Sequence, residues 1–374
     1  MTSTIEPPPV DADSGTLRTG TLRPGTLLTS RRSGGGHPLP DAAENHVVTY
    51  ASTSFDGRVV AVTGQVALPA IAMPAGGYPV VCWAPGTSGM GPQCAPSNFP
   101  GHLQTLNEWV RHGYAVLRTD YEGWGEGTRR PLLNQTSNSH AVVNLVGAAR
   151  ALSDKLSRAW LVMGHSEGGG AALWTASRGA HAAGGCELKG AIALAPVGPG
   201  VLKLIGTLAE GADTRIAFPL LAPEVAAYLA AATILGAQVS DPSIVLDDLV
   251  APAFRPFVEA SRATCVVDPL PSLPLPPAGH YLKGGSSYAR LEGFLRGQDA
   301  SSLSLTLPVM VAQAGSDNLT PTPETTAEMV RALGSRGAAI GFKSYAGQTH
   351  SEVVAASLED ALAFAGDVFA GRRR

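Results

Sequence analysis

The stretch Ala159-Trp-Leu-Val-Met-Gly-His-Ser-Glu-Gly-Gly-Gly-Ala-Ala-Leu-Trp174 decides how the rest of the chain is read. Ala159 to Met163 is apolar without a break, as a strand buried on both faces requires. Gly164-His165-Ser166-Glu167-Gly168 then turns, and Gly169 to Trp174 continues as a helix. A serine on such a strand–turn–helix corner is lifted out of the sheet with its hydroxyl free to attack. Side chains two residues to either side would collide in so sharp a turn, which accounts for glycine at both places. The Glu167 N–H, at the helix start, points toward negative charge developing beside Ser166. A bare G-x-S-x-G also occurs as a Gly-rich helix start; the flanking strand and helix favour the nucleophile.

Working outward, runs of the same kind recur at Tyr78–Trp83, Tyr114–Arg118, Ala191–Ala195, Pro308–Ala312 and Ile340–Tyr345. Helix-like stretches separate most of them: Leu103–His112, Ser139–Leu156, Pro323–Leu333 and Glu352–Phe369. This alternation predicts an α/β fold with a mostly parallel, doubly wound sheet. Upstream, Val60, Val62, Val66 and Leu68 alternate with smaller or polar residues, as in a half-buried antiparallel strand near one edge. Residues 1–45 read as a polar, Gly/Pro-rich arm. It carries a local repeat (Gly15-Thr-Leu-Arg, Gly20-Thr-Leu-Arg, Gly25-Thr-Leu) too short for a solenoid. Between 200 and 300 the rhythm breaks into helical pieces such as Pro223–Leu235 and the proline-rich run Asp268 to Pro277. The expectation is a core of residues 46–199 and 301–374 with an inserted helical cap at 200–300.

Of the 374 residues, 44% are hydrophobic and 15% charged, which implies a large interior and argues against disorder. A net charge of -3 gives no general attraction to nucleic acid or acidic membranes. Cys82, Cys94, Cys186 and Cys265 contain no CxxC pair, which argues against zinc and thioredoxin-like chemistry; whether they form disulfides is left open. The start, Met1-Thr-Ser-Thr-Ile-Glu, has neither a basic nor an apolar signal region, so the chain as given reads as cytoplasmic, or secreted if a signal has been removed. Val225–Ala237 is too short to span a bilayer, and no stable membrane insertion is expected.

A serine at its ordinary pKa needs a base, and the base an orienting acid. Asp317 follows the run Pro308–Ala312, and His350 follows Ile340–Tyr345. Ser166, Asp317 and His350 thus stand in the order Ser–Asp–His at strand ends, where open α/β sheets bind ligands. Singly, Asp317 reads as a turn or cap residue before Thr320-Pro321 and His350 as a surface histidine; jointly they read as catalytic partners. Glu324 is the alternative acid, inside a helix. His165 is fixed beside the nucleophile, and His280 lies in the cap. The loop Ala84-Pro-Gly-Thr-Ser-Gly-Met-Gly91 offers the Thr87 or Ser88 N–H as second oxyanion donor and the Ser88 hydroxyl as a further one, against the plain reading of a glycine turn. Asp120-Tyr-Glu-Gly-Trp-Gly125 reads as a loop packed under the site, with Trp124 as a possible lining residue. No cofactor or metal is called for.

These residues resemble the secretory-lipase group of α/β hydrolases, the Candida lipase A-like enzymes. The matching pieces, in order, are Pro24-Gly-Thr-Leu-Leu, Val62-Thr-Gly-Gln-Val-Ala-Leu-Pro, Trp83-Ala-Pro-Gly-Thr-Ser-Gly, Cys94-Ala-Pro-Ser, Asp120-Tyr-Glu-Gly-Trp-Gly, Gly164-His-Ser-Glu-Gly-Gly-Gly, Gly315-Ser-Asp and His350. The resemblance implies the α/β-hydrolase fold and esterase or lipase activity, sometimes acyl transfer, beneath a helical cap. It implies Ser166, Asp317 and His350 as the triad and the loop at Thr87–Ser88 as the oxyanion loop. The leucines, prolines and alanines of the cap suit a small-molecule ester with an apolar acyl group. The competing readings are the same triad acting on an amide, lactone or carbon–carbon bond, and a non-catalytic binding module on this fold.

Overall fold

The six apolar runs become six adjacent parallel strands. The structure, a computed structural model, describes residues 22–32, 37–124, 128–266 and 274–372. The chain begins with β1 (Leu27–Arg32), β2 (Ala42–Thr53), β3 (Val59–Pro69) and β4 (Tyr78–Ala84), then α1 (Leu103–Arg111) and β5 (Ala115–Thr119). It continues through α2 (Gln135–Leu152), β6 (Leu156–His165), α3 (Glu167–Ser177) and β7 (Glu187–Leu194). Next come α4 (Pro199–Ala209), α5 (Thr214–Ala217), α6 (Pro223–Ser240), α7 (Leu246–Leu249), α8 (Arg255–Ser261) and α9 (Ser286–Gln298). The last part holds β8 (Val309–Ala314), α10 (Pro323–Ser335), β9 (Ile340–Tyr345), α11 (Val353–Ala356) and α12 (Leu358–Phe369).

The described strands form one sheet in the order β1-β2-β3-β5-β4-β6-β7-β8-β9. Pairing is parallel from β5 through β9 and antiparallel from β1 to β5. One face is covered by α2, α3 and α10 through Val142, Leu145, Leu173 and Met329. The other is covered by α1 and α12 through Leu106, Trp109, Phe364 and Val368. This double cover is why the central strands read as unbroken apolar runs.

Residues 27–32, read from sequence as arm, are instead the edge strand β1, and β2 starts at Ala42. Four of the six β1 side chains are exposed, so the strand carries no alternation to read. Residues 15–21 of the Gly-Thr-Leu repeat and residues 268–273 of the proline-rich run lie outside the described residues. Helix α2 begins four residues before the expected Ser139, because Asn134 caps it by accepting from the Ser137 N–H. Its polar opening turns (Gln135, Ser137, Asn138, Ser139) are buried, so they hide a helix start inside a loop-like composition. The expected closing helix is broken at Ser357 into α11 and α12.

Between β7 and β8, helices α4 to α9 build a separate apolar cluster around Ala230, Ile234, Leu235, Phe254 and Phe257, which Leu132 and Leu133 join from the sheet side. Cys94 and Cys265 form a disulfide across a sequence separation of 171, while Cys82 and Cys186 are free and buried. The same segment of chain bonds to the loop after β4: the Met90 N–H donates to the Thr264 carbonyl (3.1 Å) and the Val266 N–H to that of Ser88 (2.9 Å). No described helix is long and apolar enough to cross a membrane.

A cross-link over so long a loop acts mainly by constraining the unfolded chain. Cys265→Ser is expected to lower the unfolding free energy by about 2–4 kcal/mol, read from urea titrations. An unchanged midpoint would mean that the bridge adds no stability.

Candidate active site

The turn after β6 has the geometry that its glycines foretell. Ser166 sits at φ 58° and ψ -118°, a strained conformation for a non-glycine residue. Its N–H donates to the Leu194 carbonyl (2.9 Å), and its own carbonyl accepts from the Val197 N–H (2.8 Å). A Cβ on Gly164 would stand 2.0 Å from the Gly168 carbonyl oxygen, and one on Gly168 would stand 1.9 Å from that of Ala84. Neither neighbour can retreat, because each is backbone. Glu167 is the first residue of α3, so its N–H has no intrahelical acceptor.

Asp317 and His350, nominated from different ends of the sequence, are joined by a hydrogen bond: His350 Nδ1 donates to Asp317 Oδ2 at 2.9 Å. Both are buried. Asp317 is itself held: Oδ2 also accepts from Gln313 Nε2 (3.0 Å), and Oδ1 from the Leu319 N–H (2.9 Å). Asp317 therefore closes a local turn and partners the histidine at once. His350 is anchored through its N–H to Asn318 Oδ1 (3.3 Å) and through its carbonyl, which accepts from His165 Nε2 (2.9 Å). His350 Nε2 is buried and makes no hydrogen bond in this structure, so the link to the serine is open here. Such bonds are commonly loose until substrate is bound. Glu324, the alternative acid, is exposed in the first turn of α10.

The loop after β4 lies against Ser166. A Cβ built on Gly86 would be 3.4 Å from that of Ser166. The Thr87 and Ser88 N–H groups donate to no backbone acceptor among the described residues. The Ser88 hydroxyl is buried without a partner. Tyr121 holds the loop from beneath, its hydroxyl donating to the Pro85 carbonyl (2.9 Å).

Ser166, His350, Thr87, Ser88 and Glu167 line one cleft of about 780 Å³. The part lined from residues 197–233 is mostly apolar, with Val197, Val201, Val225 and Leu229 beside Tyr228 and Thr233. Asp120 also lines it. That buried carboxylate accepts from the Thr63 hydroxyl and from the N–H and hydroxyl of Ser97; burial raises its pKa against the pull of those bonds. Trp124 does not line the cleft: its indole N–H donates to the Asp120 carbonyl, and the Arg130 guanidinium lies 5.0 Å from its ring centre. Gly125 is outside the described residues. Among the described residues no group of three or more His, Cys, Asp or Glu side chains is arranged to hold a metal ion.

Gln313, Asn318 and His102 had no signal in the sequence, since a buried amide or imidazole gains meaning only from its neighbours. His102 packs edge-on against His165 (ring centres 4.9 Å apart), and His165 packs on His350 (4.5 Å).

The sheet order, the strained serine at the end of β6 and the acid and histidine after β8 and β9 define the α/β-hydrolase fold. Solved structures agree. Candida antarctica lipase A in its closed state is 18% identical, with a TM-score of 0.74 over 95% of this chain and 84% of that one. The rice cell wall degrading esterase LipA from Xanthomonas oryzae is 18% identical, with a TM-score of 0.71 over 94% of this chain and 100% of that one. At that identity the likeness establishes the fold. No protein-family model matches the chain, and no curated protein matches it in sequence.

The histidine cluster makes stability depend on pH. Burial, aided by the nearness of His350, pushes the His102 pKa down to about 4 and that of His165 well below the ordinary histidine value. The unfolded chain takes up these protons near pH 6.5 and the folded chain does not. The contribution is complete above about pH 6.5 and is lost as pH falls toward 4. The melting temperature is expected to decline over that window, and less steeply in His102→Asn; parallel curves for the two proteins would refute the assignment.

Proposed function

We propose that the chain hydrolyses carboxylic esters through an acyl-enzyme formed on Ser166. The observation that carries the reading is the bonded Asp317–His350 pair, whose histidine lines the same cleft as a serine held at positive φ. The kinship in fold with a lipase and an esterase supports it. Asp317 accepts the Nδ1–H of His350 and so leaves Nε2 as the basic nitrogen. That nitrogen takes the Ser166 proton as Oγ attacks the ester carbonyl. The oxyanion is held by the Glu167 N–H and by the Thr87 or Ser88 N–H, each such donor being worth on the order of 3 kcal/mol. Collapse expels the alcohol with the proton from His350. Water, or an acceptor alcohol in acyl transfer, then releases the acyl group by the reverse sequence. The apolar cap side of the cleft suits an apolar acyl chain.

The test is hydrolysis of p-nitrophenyl esters from C2 to C16 by wild type and Ser166→Ala. The variant is expected to lose roughly 10⁴- to 10⁶-fold in kcat, with a chain-length optimum in the wild type. A variant as active as wild type would remove Ser166 from the mechanism.

A further inference from the structure

One buried side chain joins the two halves of the oxyanion site, and the reaction scheme leaves it unused. Glu167 follows Ser166 directly and is 1% exposed. Its carboxylate accepts four hydrogen bonds. Oε1 takes Arg130 Nη2 at 2.8 Å, Asn138 Nδ2 at 2.9 Å and the Leu133 N–H at 3.1 Å. Oε2 takes the Thr87 hydroxyl at 3.0 Å. The residue whose N–H faces the developing charge therefore also grips, through its side chain, the residue nominated for the opposite N–H.

We propose that Glu167 is a positioning residue whose carboxylate sets the spacing of the two oxyanion donors, while Arg130 neutralises it so that the site stays electropositive. This rests on the ester-hydrolase reading above. The loop that must be positioned is poor in constraint. It contains Gly86, Gly89 and Gly91, and the Thr87 hydroxyl makes the side-chain hydrogen bond that fixes its middle. The fixed points on either side are the Pro85 carbonyl, held by Tyr121, and the Ser88–Met90 backbone, held by the cap. An error of about 1 Å in a catalytic contact costs on the order of 10²-fold in rate. A carboxylate can receive four donors where an amide offers one oxygen. An uncompensated carboxylate here would repel the oxyanion strongly, because the surroundings are buried and water does not screen it. Arg130 answers that charge at 2.8 Å and is itself 1% exposed, with its guanidinium 5.1 Å from the Tyr121 ring centre and 5.0 Å from that of Trp124.

The experiment is steady-state kinetics on one p-nitrophenyl ester, normalised by fluorophosphonate titration of active serine, for wild type, Thr87→Val, Thr87→Ser, Glu167→Gln and the double variant Thr87→Val/Glu167→Gln. Thr87→Val keeps the shape and removes the hydroxyl. It is expected to lower kcat about tenfold or more with KM within about twofold, since the lost interaction acts in the transition state. Thr87→Ser is expected to restore at least a third of the wild-type kcat. Glu167→Gln should lose at least as much as Thr87→Val, and the double variant no more than Glu167→Gln alone. Wild-type kcat in Thr87→Val, equal losses in the valine and serine variants, or losses that multiply in the double variant would each overturn the proposal. If Glu167→Gln does not fold, the valine–serine pair decides alone. A wild type that neither labels nor cleaves any ester would instead overturn the ester-hydrolase reading, and this inference with it.

Discussion

The backbone of Gly168 runs so close to the Ala84 carbonyl that no side chain fits between them, and the carbonyl of Gly168 presses equally on Gly164. This double contact docks the start of α3 against the end of β4 and forces the intervening serine to positive φ. Much else follows from it. Glu167, the first residue of α3, lines the cleft, and its N–H has no preceding turn of helix to bond to. The loop leaving β4 has to pass beside Ser166, because the strand that launches it is the one α3 leans on. The acid and histidine can then arrive from β8 and β9, whose ends lie on the far side of β6 and β7. A serine in strained backbone geometry is sustained because strands buried on both faces over-determine its position.

How much of this was legible from sequence depended on what each residue's signal needed. The central parallel strands announced themselves because burial on both faces leaves an unbroken apolar run, as at Ala159–Met163, whereas the edge strand β9 is largely exposed. The edge strand Leu27–Arg32 could not, since four of its six side chains are exposed and its place is fixed by backbone bonding to β2. The start of α2 was hidden because Gln135, Ser137 and Asn138 are polar residues placed in the interior beside other polar groups. Periodicity of apolar residues is silent about such a helix turn.

The site divides in the same way. Ser166, Asp317 and His350 could be nominated because each follows a recognisable strand, and the structure brings the latter two into contact. Of the residues that support them, His165 meets the His350 carbonyl from 185 residues away, and Gln313, though only four residues before Asp317, is a buried strand amide with no motif to mark it. Glu167 is a sharper case. Its position next to the serine drew attention to its N–H, yet its carboxylate matters through Arg130, Asn138 and Thr87, none of which shares a motif with it. Trp124 went the other way. An aromatic residue near the sheet's active edge invites a reading as pocket lining, but its ring faces Arg130.

The bonding of Thr264–Val266 to Ser88–Met90, reinforced by Cys94–Cys265, bears on how this fold can be re-engineered. Caps are often treated as exchangeable modules that set substrate range while the core keeps its chemistry. Here the stretch Thr264–Val266, between β7 and β8, is also a splint for the loop after β4 that we propose carries an oxyanion donor. A graft replacing residues 200–300 wholesale would remove that splint, so the donor cap would need its own counterpart of Thr264–Val266 together with the matching cysteine. Under the proposed ester-hydrolase reading, selectivity and turnover are in this respect inherited as a pair.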